Sequence, residues 1–296
     1  MNVAAVDIGT NSARLLVTDA RGAELERPMR ITRLGQGVDV TGALAPEAIA
    51  RTVSVLAEYR ALCDRHGVTR VRATATSAAR DARNSEEFFD QAERALGVRP
   101  ELLSGADEAR LSFEGATADV APQLGPFLIM DIGGGSTEIV VGAHEPEQLV
   151  SLQLGCVRMS ERHLKTDPPS ADELRACQSD VERILGATKI DARGVRTAIG
   201  LAGTVTALSA MELGLPRYDA TRTHHSTLTS QQVEQAFSKL ARAPLAERRA
   251  LLVEPQRADV IVGGAAVLLG CVRHFGVAEL LVSEHDILDG LAASLR

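Results

Sequence analysis

The stretch Phe127-Leu128-Ile129-Met130-Asp131-Ile132-Gly133-Gly134-Gly135-Ser136-Thr137-Glu138-Ile139-Val140-Val141 decides the fold. A short apolar run reaches Asp131, breaks at three glycines and restarts at Thr137, which reads as a strand, a glycine turn and a strand. Three successive glycines let backbone amides approach an anion with no side chain in the way. Asp131 and Glu138 put two carboxylates beside the same turn. Phosphate and a hard divalent cation are the natural occupants of such a place.

The stretch occurs twice. Val3 to Val17 carries Asp7-Ile8-Gly9-Thr10-Asn11-Ser12-Ala13-Arg14, at a constant offset of 124 residues (131 against 7) from Asp131–Glu138. Asp, Ile, Gly and Ser recur in register, Val17 matches Val141, and Arg14 falls where Glu138 falls. That spacing is too long for a solenoid and fits two duplicated halves facing each other across a cleft, one bringing a cation and the other an anion to the same ligand. A single aspartate followed by glycines would as easily be a hairpin turn. Two copies in register argue against that reading.

Around the first copy, Val3–Ile8, Ala13–Asp19 and Glu24–Arg33 read as a three-stranded meander. Pro46 opens a helix that Gly67 closes, and Thr69–Thr74 is a strand. Asn84 caps a helix ending at Gly97, Val98–Leu103 is a strand, and Ser104 with Asp107 starts a helix whose first turn holds Glu108. Around the second copy, Phe127–Asp131, Thr137–Val141 and Gln148–Leu154 repeat the meander. Helices follow from Cys156 and from Ser170, and Val195–Ile199 runs into Gly200-Leu201-Ala202-Gly203-Thr204 and a helix. Gly214–Thr227 is an excursion, helices begin at Thr229, Pro244 and about Gln256, Glu279–Val282 is a strand, and Asp286 opens the last helix. Turn residues at Ala121–Pro126 mark the boundary, giving domains 1–124 and 125–296, with the final helix able to pack back on the first.

A chain of 296 residues with 45% hydrophobic and 24% charged residues has ample core for two soluble domains. Aromatics at 3% without tryptophan leave little material for base stacking, and a net charge of −7 disfavours a nucleic-acid backbone binder. Cys63, Cys156, Cys177 and Cys271 show no metal-ligand spacing, which suits a reducing compartment and no structural zinc. The N-terminus lacks a basic leader, and the longest apolar run, Val260–Val272, is shorter than the roughly 20 residues a bilayer span needs. The expected location is the cytoplasm. Lys165, Lys189 and Lys239 are the only lysines and none lies in a Gly-rich Walker pattern, so P-loop chemistry is excluded.

The segments Asp7–Arg14, Arg33–Gly37, Thr76–Arg80, Ser104–Arg110, Asp131–Glu138, Leu154–Val157 and Gly200–Thr204 together resemble the exopolyphosphatase and guanosine pentaphosphate phosphatase (Ppx/GppA) family. That family belongs to the actin, sugar-kinase and heat-shock-70 superfamily. The resemblance implies two duplicated α/β domains of ribonuclease H-like type with an interdomain cleft. It implies Mg2+-dependent release of orthophosphate from the end of inorganic polyphosphate or from guanosine pentaphosphate. Glu108 matches the glutamate that activates water, and Asp131 and Glu138 match the metal-holding carboxylates, with Asp7 facing the metal or its waters. Ser136 and the amides of Gly133, Gly134 and Gly135 match the terminal-phosphate cradle. Asn11, Gly203 and Thr204 join it, and Arg14 and Arg80 neutralise phosphoryl charge. Such a donor set is chemically sensible, since Mg2+ keeps waters beside one or two carboxylates and arginine suits bidentate phosphate binding.

Ala202 departs from the glycine or serine of many relatives. The chain ends after the second domain, whereas longer members carry helical C-terminal domains, so short polyphosphate chains or a nucleotide are expected, with homodimerisation left open. A phosphotransferase, a catalytically idle guanosine tetra- or pentaphosphate sensor and an actin-like filament are the rivals. His224 and His225 read as exposed loop residues, because no third ligand lies at zinc spacing. Ser283-Glu284-His285-Asp286 reads as helix capping, since no nucleophile motif accompanies it.

Overall fold

A computed structural model describes residues 1–296. The chain forms two compact units, Met1–Gly115 with Ile287–Arg296, and Ala116–Asp286. Unit 1 contains strands β1 (Asn2–Ile8), β2 (Ser12–Thr18), β3 (Glu24–Glu26), β4 (Met29–Ile31), β5 (Val68–Ala75) and β6 (Glu101–Leu102). They stand in the order β3-β2-β1-β5-β6, with β4 also pairing β2; β1 runs antiparallel to β2 and parallel to β5.

Unit 2 contains β7 (Phe127–Ile132), β8 (Thr137–Gly142), β9 (Pro146–Leu152), β10 (Thr197–Leu201), β11 (Thr227–Thr229) and β12 (Glu279–Val282), in the order β11-β12-β10-β7-β8-β9. Omitting β11, this is the same order as in unit 1, as the repeat predicts, and both are the ribonuclease H-like arrangement that the resemblance implies. β11, a strand not expected from the sequence, begins at the last residue of the excursion and adds antiparallel to β12.

The sheet of unit 1 is covered on both faces, and the alternation of β1 shows how. Ala4, Val6 and Ile8 face a core with Leu56, Tyr59 and Phe88, while Ala5 faces Leu103, Leu111, Leu288 and Leu291 on the other side. The helix Ile287–Ala293 belongs to that second face and is tied down by an ion pair from Arg27 to Asp289. In unit 2, Leu128, Met130 and Ile132 of β7 pack with the apolar helix Ile261–His274, whose Val262, Ala265 and Leu268 are fully buried. The four cysteines are buried and unpaired. No helix is long and apolar enough to cross a membrane.

Three local expectations need correction. The strand expected at Glu24–Arg33 is split into β3 and β4, because Pro28 has no N–H for the ladder; its carbonyl accepts from Leu15 N at 3.0 Å. The strand expected at Val98–Leu103 pairs only over Glu101–Leu102, after Pro100. Asn84 precedes its helix but makes no side-chain cap; its amide instead bonds the N–H and carbonyl of Leu44 at 2.8 and 3.0 Å. Ser170 with Glu173 does form the complete capping box.

Candidate active site

Each unit presents its copy of the duplicated turn at the carboxyl edge of its first strand. In unit 1 the chain leaves β1 at Ile8 and turns through Gly9, whose N–H donates to Ser12 O at 2.9 Å. A Cβ on Gly9 would lie 3.2 Å from that carbonyl, so the tight turn favours glycine. Pairing of β1 with β2 sets Asp7 directly opposite Arg14, and the two form an ion pair at 2.7 Å with Asp7 almost wholly buried. The parallel neighbour β5 brings Thr74 beside Asp7, so the short helix Ser77–Asp81 departs from the same edge.

Several buried polar atoms on these segments have no hydrogen-bond partner in the protein: Thr10 Oγ1, both amide atoms of Asn11, Ser77 Oγ and Arg80 Nη2. Buried polar groups are nearly always satisfied, so such a group of atoms marks a place built for a polar ligand. Arg80 Nη1 donates to Leu103 O at 3.0 Å and to Glu108 Oε2 at 2.7 Å. Glu108 stands in the first turn of the helix Gly105–Thr117, which Ser104 starts by accepting from Asp107 N at 3.1 Å. Unit 1 thus carries Asn11, Arg14, Arg80 and Glu108, with Arg80 bound to Glu108 and Asp7 to Arg14.

In unit 2 the same turn has different chemistry. Gly133 N donates to Ser136 O at 3.0 Å, and the ladder sets Asp131 directly opposite Glu138. The two carboxylates are 7% and 1% exposed, and Glu138 Oε1 accepts from Ser151 Oγ at 2.7 Å. Like charges directly opposite on adjacent strands repel. Two buried carboxylates so placed are a hard oxygen donor set that fits the divalent cation implied by the sequence.

The N–H groups of Gly134 and Gly135 donate to no protein acceptor, whereas their carbonyls are taken by the returning chain. Val157 N bonds Gly134 O at 2.9 Å and Arg158 Nε bonds Gly135 O at 2.7 Å. This leaves the amides for an anion. The seat is close: a Cβ on Gly155 would stand 2.3 Å from Gly134 O.

The turn Gly200–Thr204 follows β10, in which Leu201 pairs with Asp131 of β7. Ala202 has φ of 67°, a left-handed conformation that L residues adopt at a cost and that clusters at functional sites. Gly203 lies under the Arg257 guanidinium, where a Cβ would stand 2.1 Å from Nη1, and Arg257 Nε bonds Glu254 Oε2 at 2.8 Å. Thr204 is buried, with its side chain against Cys156 and Gly264, so at this turn the backbone and Arg257 remain for an anion. Arg257 had no signal in the sequence, being more than fifty residues from the turn it covers. Thr10 and Ser77 lay inside recognised segments but carried no signal of their own.

The other candidates resolve differently. Ser283 Oγ accepts from His285 N and donates to His285 O, a local turn that leaves the imidazole out and excludes a charge relay there. His224 and His225 are not isolated loop residues: both approach Asp119, and His285 joins them.

The profile of the Ppx/GppA phosphatase family matches residues 17–295. The chain is similar to exopolyphosphatase 2 of Mycobacterium tuberculosis, 45% identical with 99% of this chain and 98% of that protein covered. It is 29% identical to the guanosine-5'-triphosphate,3'-diphosphate pyrophosphatase of Aeromonas hydrophila, over 99% of this chain and 59% of that one. Among solved structures, the Ppx/GppA family member of Aquifex aeolicus superposes with a TM-score of 0.82 at 34% identity, covering 100% of this chain and 97% of the other.

Proposed function

The chain belongs to the Ppx/GppA phosphatase family and is a phosphoanhydride hydrolase, and from that premise we propose that it is an exopolyphosphatase releasing terminal orthophosphate from short inorganic polyphosphate in the cytoplasm, with Mg2+. The observation that carries the reading is the divided chemistry of the duplicated turn. One copy pairs an aspartate with an arginine, and the other sets two carboxylates opposite each other. Similarity to a mycobacterial exopolyphosphatase along nearly the whole length supports the choice of substrate.

Phosphoanhydride hydrolysis asks for a positioned water, a proton acceptor and stabilisation of the equatorial oxygens. Glu108 is assigned as the acceptor, held in place by Arg80 Nη1, while Arg80 Nη2 is left for a phosphoryl oxygen. The Asn11 amide and Arg14 take further oxygens of the phosphate, and the amides of Gly134 and Gly135 with Ser136 take the terminal group. Gly133 supplies the tight turn that presents these amides. Gly203, with Arg257 above it and Thr204 fixing the start of its helix, supports a more distal phosphate. Asp131 and Glu138 would hold Mg2+, and in unit 1 Asp7, assigned from the resemblance to the metal or its waters, also holds Arg14. The ion supplies charge neutralisation of the phosphoryl oxygens.

A second reading, 5'-phosphatase action on guanosine pentaphosphate or binding of such a nucleotide without turnover, draws on the Aeromonas relative. Orthophosphate release from short polyphosphate, long polyphosphate and guanosine pentaphosphate, measured in parallel, separates the readings. Release from short polyphosphate, reduced on the order of a thousandfold in Glu108→Ala, is the expected result. Release only from the nucleotide would establish the second reading, and nucleotide binding without release from any substrate would leave a sensor.

A further inference from the structure

Outside the residues that handle phosphate, one side-chain cluster of unit 2 has chemistry of its own. Asp119 lies on the segment after the helix Gly105–Thr117, His224 and His225 follow the short helix Ala220–Thr223, and His285 follows β12. His224 Nε2 is 2.8 Å and His285 Nδ1 is 3.2 Å from Asp119 Oδ2, and His225 Nε2 is 3.6 Å from Oδ1. The His224 ring stacks on His225 at 3.9 Å between centroids and lies 4.5 Å from His285. One atom each from Asp119, His224 and His285 falls within 4.8 Å of the others.

We propose that Asp119, His224 and His285 form a binding site for a late first-row divalent cation of the Zn2+ class, distinct from the carboxylate pair Asp131 and Glu138. Two imidazoles and a carboxylate are a borderline donor set that prefers Zn2+, Co2+ or Ni2+ over Mg2+. Three protein ligands leave a position for water or for an oxygen ligand. The two imidazole nitrogens stand 2.8 and 3.2 Å from Asp119 Oδ2, close to the ligand separations around a tetrahedral ion with bonds of about 2.0–2.2 Å.

The backbone prepares the cluster. His285 is held in a turn by Ser283, whose Oγ bonds both its N–H and its carbonyl. His225 N bonds Val282 O at 2.8 Å, which fixes the histidine loop against the end of β12. The three histidines and the aspartate contact one another although 105 residues separate Asp119 from His224. Asp119 is a carboxylate at neutral pH: burial works against its charge, but the His224 hydrogen bond and the neighbouring imidazoles outweigh it and hold the pKa of its carboxyl below the ordinary value.

Metal binding exchanges one contact. Glu284 N donates to His224 Nδ1 at 3.1 Å, which places the ring proton on Nε2, facing Asp119. A cation taken at Nε2 moves that proton to Nδ1 and forfeits the Glu284 bond.

The test uses full-length protein without a polyhistidine tag, kept in excess Mg2+ so that carboxylate sites prefer that ion. Zn2+ binding is followed by calorimetry, and Co2+ binding by its visible d–d absorption. The expected result is one site per chain with the strong absorption of a low-coordinate Co2+ ion. Its affinity should fall at least about a hundredfold in the double variant His224→Gln, His285→Gln. Circular dichroism confirms that the variant is folded; if it is not, Asp119→Asn, on an exposed segment, decides, with an expected loss of about tenfold or more. Absence of saturable binding in the parent chain, or binding of equal affinity in the folded variant, would overturn the proposal.

Discussion

The two copies of the turn share a backbone and differ in the residue opposite the aspartate. In unit 1 the register sets Asp7 opposite Arg14 and an ion pair closes the turn; in unit 2 the same register sets Asp131 opposite Glu138. The first copy carries Thr10 and Asn11, with side-chain donors, where the second carries Gly134 and Gly135, with bare amides. Each copy is then seated by a returning Leu-Gly pair: Gly35 N bonds Thr10 O at 2.8 Å, and Val157, two residues after Gly155, bonds Gly134 O at 2.9 Å. The backbone of the turn is thus common to both copies, and Arg14 against Glu138 is the position that most changes their charge. The same strand register serves both because side chains at a directly opposed pair meet whatever their sign.

The most severe way to break this division is to remove a carboxylate from the second turn. Asp131→Asn or Glu138→Gln should lower the rate of orthophosphate release on the order of a thousandfold, about 4 kcal/mol, with the fold retained by circular dichroism. Giving the first turn the second turn's charges is next. Arg14→Glu removes the ion pair to the buried Asp7 and sets a like charge opposite it, so chemical denaturation should show a loss of about 2 kcal/mol.

The seats can be compared directly. A Cβ on Gly155 meets the Gly134 backbone, whereas one on Gly35 meets the Thr10 methyl, so Gly155→Ala should cost about 2 kcal/mol and more than Gly35→Ala. Equal losses would mean that the second seat is no stiffer than the first.

A smaller effect concerns the helix Cys156–His163 that is seated on the second turn. Its last residues Arg162 and His163 bond Asp180, each at 3.0 Å. Burial opposes the Asp180 charge, but these bonds and Arg183 outweigh it and bring its pKa down to about 2 from 3.8. A folded-state value below the unfolded one gives stability that is present above pH 3.8 and lost as the pH falls through about 2. Asp180→Asn should then cost about 1 kcal/mol at pH 7, and its difference from the parent chain should vanish over that acid window. Smallest of all, Ala202→Gly relieves the left-handed residue after β10 and should raise stability by about 0.5 kcal/mol in a thermal melt.

Much of this was legible because it is local or periodic. The offset of 124 residues placed Asp7 and Arg14 on Asp131 and Glu138, and the antiparallel turn then fixed their pairing. The resemblance added Arg80 and Glu108, which contact each other in unit 1. What escaped depends on chain segments meeting from afar. Arg257 covers Gly203, the amide of Asn84 serves Leu44 rather than its own helix, and Asp119 and His285 supply the neighbours that the spacing around His224 could not reveal. The break at Pro28 was readable in principle, since proline lacks the ladder donor, but alternating residues on either side concealed it.

Orthophosphate release from short polyphosphate as a function of Mg2+ concentration, for the parent chain, Glu138→Gln and Glu108→Gln, tests the division of labour most directly. The account predicts that Glu138→Gln raises the Mg2+ concentration needed for half-maximal rate, whereas Glu108→Gln lowers the maximal rate and leaves that requirement unchanged. Two variants with the same Mg2+ dependence, or full activity in Glu108→Gln, would contradict it.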